Sequence, residues 1–144
     1  QKGTFLVPTM STWDWTLRFG KSIGLTQQKI QQAEENRESS RKSFKLALGA
    51  GVPIAAGTDA GGSGARHGFI AREIELMVDA GMSPSSALQA ATTQAASLAG
   101  IEDLTGTIEV GKHADLVLID GNPLDDPSAL RHVWAVYKSG NRIY

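Results

Sequence analysis

Asp59 is the residue best placed to do chemistry. It follows the short apolar run Val52-Pro53-Ile54-Ala55-Ala56-Gly57 and Thr58, and it opens the glycine-rich stretch Ala60-Gly61-Gly62-Ser63-Gly64. An apolar run of this length reads as a strand buried on both faces. In parallel α/β architectures, ligands and catalytic groups gather at the carboxyl ends of such strands. A carboxylate there can bind a metal, accept a proton from an activated water, or do both. The local alternative is an Asx turn, in which the side chain caps its own loop.

The histidines add less. His67 lies at the mouth of the next helical pattern, where it could touch a substrate or simply face solvent. His113 sits in a Gly-Lys turn and His132 opens a β-rich tail, and both read as surface. No two histidines stand at the H-x-H or i,i+4 spacing of a metal site, and there is no cysteine. The chain therefore cannot supply a histidine-rich metal centre or a thiol nucleophile by itself. The Gly61 to Gly68 loop also permits a phosphate cradle at a helix N-terminus. Against that stands the negative charge of Asp59, and Asp79 ends a helical pattern where a dinucleotide site wants an acid at a strand end. Trp13 and Trp15 could line a pocket or pack a core.

The elements that position these residues follow from periodicity. Thr4 to Thr9 reads as a buried strand, and Ser11 to Gly24 as an irregular stretch with one helical turn. Thr26 caps a largely solvated helix running to about Ala50. A helix from about Gly68 to Ala80 aligns Phe69, Ile70, Ile74, Met77 and Val78 on one face. Ser83-Pro84 opens a further helix, expected to continue to Gly100. After Gly106, the segments 107–110, 115–120 and 132–138 read as strands, with Ser139-Gly140-Asn141 turning into a last one. Strand–helix alternation implies parallel strands with right-handed crossovers. Two such strands are too few to make a stable sheet alone.

Composition narrows the partners. The chain has 144 residues, a formal net charge of −1, 41% apolar and 20% charged residues. Near-neutral charge, with the basic residues of 29–42 mixed among Glu34, Glu35 and Glu38, argues against nucleic acid as a partner. No apolar run approaches the ~18 residues that span a membrane, so no membrane partner is expected.

Three stretches in order resemble the metal-dependent amidohydrolase superfamily, in its imidazolonepropionase-like and Xaa-dipeptidase (prolidase-like) branch. They are Val52 to Gly61, Glu73 to Pro84 with Ala87-Leu88-Gln89-Ala90-Ala91-Thr92, and Gly106 to Pro123; Val136 to Tyr144 fits the closing hairpin. The resemblance implies an α/β chain made of the last two βα units of a (β/α)8 TIM barrel, over residues 1–103. Residues 104–144 would be the C-terminal strands of a small flanking β-sandwich. It implies a divalent metal, zinc above all, as one or two ions. Asp59 matches the strand-eight aspartate, which is both metal ligand and catalytic base, and His67 falls in a loop of substrate contacts. The expected substrate is a small amide or dipeptide. The expected partner is the N-terminal part of the same barrel, with homo-oligomerisation left open. Gln1 in place of Met, and one ligand where a metal needs several, lead to the expectation of a C-terminal portion inactive on its own. A nucleotide- or phosphate-binding module and a noncatalytic assembly domain are the competing readings.

Overall fold

The computed structural model describes residues 3–61 and 67–144. Five helices, α1 (Met10–Phe19), α2 (Gln27–Gly49), α3 (Ile70–Asp79), α4 (Pro84–Ala91) and α5 (Thr93–Ala99), precede three strands, β1 (Leu116–Ile119), β2 (Val133–Lys138) and β3 (Asn141–Arg142). The core lies where α1 to α4 meet around residue 54, built from Met10, Phe44, Ile54, Ile74, Met77 and Ala87. The fold is α/β, and the two expected parallel segments do lie side by side. They meet in a single parallel bridge, Leu6 to Ile54, rather than in full strands. The Leu6 N–H donates to the Pro53 carbonyl at 2.9 Å and the Ala55 N–H to the Leu6 carbonyl at 3.0 Å. Among the described residues no further strand pairs with either outer edge, so the ladder stops there.

Residues 11–24 depart from the sequence reading. Most of them form the regular ten-residue helix α1. The pattern hides because α1 buries polar side chains, Ser11, Thr12, Asp14 and Thr16, beside Met10 and Trp15. Helix α2 matches its expectation, and the Thr26 hydroxyl accepts the Lys29 N–H at 3.3 Å. The expected face of α3 is buried at Ile74 and Met77, with Val78 packed beside them, but it also takes in two acids, Glu73 and Glu75, and leaves out Ile70, which is exposed.

The single helix expected after Ser83 is two. Thr92 breaks it at φ −125°, ψ −89°. The Thr92 and Thr93 hydroxyls donate back to the Leu88 and Gln89 carbonyls at 2.8 and 3.2 Å, and such bonds bend helices. Segment 107–110 is irregular, not a strand. Ile108 and Val110 are fully out in solvent, and the Lys112 ammonium folds back onto the Thr107 hydroxyl at 2.7 Å. The tail is a three-stranded antiparallel sheet in the order β1-β2-β3. Ser139 and Gly140 both take positive φ, as a two-residue hairpin turn requires. No helix among the described residues is long and apolar enough to cross a membrane.

The two parallel segments also lie close at Gly57, where an added Cβ would meet Val7 Cγ1 at 2.6 Å. Gly57→Ala should destabilise the fold by about 1–3 kcal/mol through overpacking. Adding Val7→Ala should recover most of that loss in chemical denaturation. A double variant no more stable than Gly57→Ala would show that the contact is not the cause.

Candidate functional site

The site begins with the segment that ends in Asp59. Beyond the bridge at Ile54, the Ala56 N–H donates to the Ala90 carbonyl at 2.8 Å, tying the segment to the end of α4. Thr58 is then fastened from the other side, as the Thr12 hydroxyl on α1 donates to its carbonyl at 2.9 Å. Asp59 follows in the left-handed region, at φ 50°, with its side chain exposed. Aspartate tolerates that conformation better than most residues. The carboxylate thus stands at the end of a segment pinned by two separate elements, α4 and α1.

Helix α1 depends in turn on α3. Thr9, the residue before α1, is left-handed and offers no side-chain cap. The cap comes from far away in sequence. The Met10 N–H donates to Glu73 Oε1 at 2.9 Å and the Ser11 N–H to Glu73 Oε2 at 2.6 Å. A carboxylate at the positive end of a helix dipole is favourable, and Glu73 also lies in the first turn of α3. Its side chain is fully buried. Burial pushes the Glu73 carboxyl above the ordinary glutamate range, and the two backbone N–H groups pull it part of the way back.

Beside this cap runs an ion network. Arg72 grips Asp14 of α1 in a bidentate pair at 2.9 and 3.0 Å and reaches Glu75 at 2.8 Å. Glu75 also accepts from Arg131 in the 3-10 turn Pro127–Arg131. Arg18 adds a 2.9 Å contact to Asp14. Desolvation opposes ionisation of Asp14 and Glu75, yet the arginines prevail and hold both carboxyls below their ordinary range. A cavity of about 270 Å³ opens over this network, lined by Arg37, Arg41 and Arg72 with Asp14, Glu38 and Asp79. Asp59 is not among its lining residues.

The sequence candidates fall out unevenly. His67 is exposed, directly before Gly68 and three residues ahead of α3. His113 and His132 are exposed and far along the chain in the tail. Trp15 is buried and packs on Phe19 with ring centroids 5.5 Å apart, so it is core, while Trp13 is half-buried. Most of the phosphate-cradle loop, Gly62 to Arg66, lies outside the described residues. Among the described residues no group of three or more His, Asp or Glu could hold a metal ion. A structural or catalytic metal takes three or four protein ligands. The described residues alone do not make up such a set, although Asp59 offers a single oxygen donor.

Glu73 and Thr12, which hold the start of α1 and the Thr58 carbonyl, are not among the residues the sequence marks. The signal was present for Glu73: its helical spacing places it on the same stripe as Met77 and Ala80, where an acid is out of place unless it has partners. Thr12 gave no such signal.

Comparison with known proteins decides the family. The amidohydrolase family model matches residues 1–143. The chain belongs to the amidohydrolase family. This family is generally metal-dependent. The ochratoxinase of Aspergillus niger is 34% identical over 142 residues, which are 93% of this chain and 28% of that protein. The crystal structure of a Xaa-Pro dipeptidase with methionine bound in its active site superposes with a TM-score of 0.84 at 37% identity. That match covers 97% of this chain and 34% of the dipeptidase. The A. niger ochratoxinase structure gives a TM-score of 0.76 at 33% identity, over 98% of this chain and 32% of the other. This amidohydrolase chain therefore spans about a third of the length of its relatives. It corresponds to the last two βα units of their barrel plus part of the flanking β-sandwich.

The network makes a prediction about acid. Asp14 and Glu75 have lowered carboxyl pKa values, so their contribution is present above the unfolded values near 3.8 and 4.5 and is lost as pH falls through the lowered ones. Arg72→Met should destabilise the fold near pH 7 by about 1–3 kcal/mol, because it leaves Asp14 with only Arg18 and Glu75 with only Arg131, both more exposed partners. The gap to wild type should narrow steadily below about pH 4, as followed by thermal denaturation across pH. A gap that stays constant down to pH 2 would contradict the assignment.

Proposed function

We propose that this chain forms part of a metal-dependent hydrolase that cleaves an amide C–N bond in a small, dipeptide-like substrate, with Asp59 as its catalytic carboxylate. The observation that carries the reading is the placement of Asp59. It is a carboxylate directly beyond a parallel-bridged segment, held by the Thr12 contact to the preceding carbonyl. Family membership and the likeness to a Xaa-Pro dipeptidase and to ochratoxinase support the reaction class.

Asp59 accepts the proton of the attacking water and returns it to the departing nitrogen, which could not leave as an anion. A divalent metal, zinc by the resemblance, would be held by Asp59 together with ligands from outside this chain, and would supply a water acidified to a pKa of about 7. Ala60 and Gly61 carry little side-chain bulk beside the carboxylate and leave room for substrate. His67, exposed at the far side of the same loop, is assigned to substrate contact. Residues 1–103 form the barrel portion of this reading and 104–144 the sandwich portion. The chain by itself is inactive, because it brings one metal ligand and two of eight βα units.

In the intact protein, Asp59→Asn should lower kcat by at least about a thousandfold, as loss of a proton-transfer group and a metal ligand together would. KM should change far less. Near-normal kcat would overturn the assignment of Asp59. Dialysis against a chelator should abolish turnover, and added Zn²⁺ should restore it; full activity after the metal has been stripped would overturn metal dependence.

A further inference from the structure

We propose that Glu73 and Thr12 are positioning residues for Asp59, and that the buried cap on α1 sets the geometry of the Thr58–Asp59 peptide. This inference rests on the reading of Asp59 given above. Three contacts in series carry it. Glu73 fixes the first turn of α1 by accepting the Met10 and Ser11 N–H groups on its two oxygens. Thr12, the next residue, is buried and projects its hydroxyl from that same turn to the Thr58 carbonyl at 2.9 Å. Thr58 is bonded directly to Asp59, whose backbone is left-handed and whose side chain is exposed.

The geometry of each contact argues for placement rather than bulk stability. A helix cap can be made locally by Ser, Thr, Asp or Asn at the preceding position. Here Thr9 occupies that position and its side chain does not cap. A distant, fully buried carboxylate does so instead, at the cost of desolvation that raises its pKa. Two bonds to adjacent N–H groups fix the rotation of α1 as well as its end. That rotation decides where the Thr12 hydroxyl points. A free loop carbonyl could instead be satisfied by water at little cost. Tying it to α1 removes rotational freedom from the peptide that carries Asp59, as a proton-transferring carboxylate at fixed geometry needs.

The test uses the intact protein and three variants beside Asp59→Asn. Thr12→Val keeps the shape and removes the donor. Thr12→Ser keeps the donor. Glu73→Gln keeps the shape and sets an amide N–H₂ against the backbone donors of α1. Thr12→Val should lower kcat between about ten- and a hundredfold, with KM changed less than about twofold and the melting temperature nearly unmoved. It should also surrender its metal at lower chelator concentration than wild type, measured by metal content after dialysis. Thr12→Ser should restore both kcat and metal retention. Glu73→Gln should reproduce the loss in kcat; if it does not fold, the Thr12 pair decides. Wild-type kcat in Thr12→Val, or parallel loss of kcat and melting temperature that Thr12→Ser does not rescue, would overturn the proposal. Near-normal kcat in Asp59→Asn would instead overturn the underlying assignment, whatever the Thr12 variants do.

Discussion

The Glu73 carboxylate is sealed from solvent, and its two oxygens take up the first two N–H groups of α1. Few single interactions in the chain reach so far. It joins residues more than sixty positions apart, closes the end of one helix from the first turn of another, and sits beside the core formed by Met10, Ile74 and Met77. An acid left there without partners would cost several kcal/mol. The arrangement is therefore close to all-or-none. Either α1 presents its N-terminus to α3, or Glu73 must leave the core and take the neighbouring helix face with it.

The charged residues around the cap act in the same direction. Arg72 is adjacent to Glu73 in sequence and turns the other way, to Asp14 one turn further along α1. Helix α1 is thus held at two points by consecutive residues of α3. Glu75 extends the network to Arg131 and so to the 3-10 turn that precedes β2. Barrel-type helices and the β-rich tail are in this way linked by ionic contacts as well as by apolar packing. Apolar packing alone would permit sliding; bidentate pairs fix register.

Much of this was legible in the sequence, and the failures have physical causes. The elements with strong local signals emerged as expected: α2 from its Thr26 cap, α4 from Ser83-Pro84, and the last hairpin from Ser139-Gly140. The parallel pairing of the segments around Leu6 and Ile54 followed from strand–helix alternation. Asp59 is marked as a candidate by its place after an apolar segment. Helix α1 was hidden because its buried face is polar and its cap is tertiary, so neither periodicity nor a capping residue announced it. The break at Thr92 arises from hydroxyl back-bonding that Ala-rich surroundings conceal. The run 107–110 has strand composition but no neighbour to pair with, and composition cannot report a missing partner. The candidate site divides in the same way. The carboxylate proposed to react is marked by its place in the sequence, whereas Thr12 and Glu73 make contacts that only the folded chain creates.

The central claim is that a pinned backbone delivers Asp59 to a metal-bearing active site. The direct measurement is a crystal structure of the intact protein grown with Zn²⁺, with the ion located by anomalous scattering. The account predicts an Asp59 carboxylate oxygen at about 2.0–2.2 Å from the ion, with the Thr12 hydroxyl still bonded to the Thr58 carbonyl. An Asp59 carboxylate turned to solvent, with the ion held entirely by other residues, would contradict it.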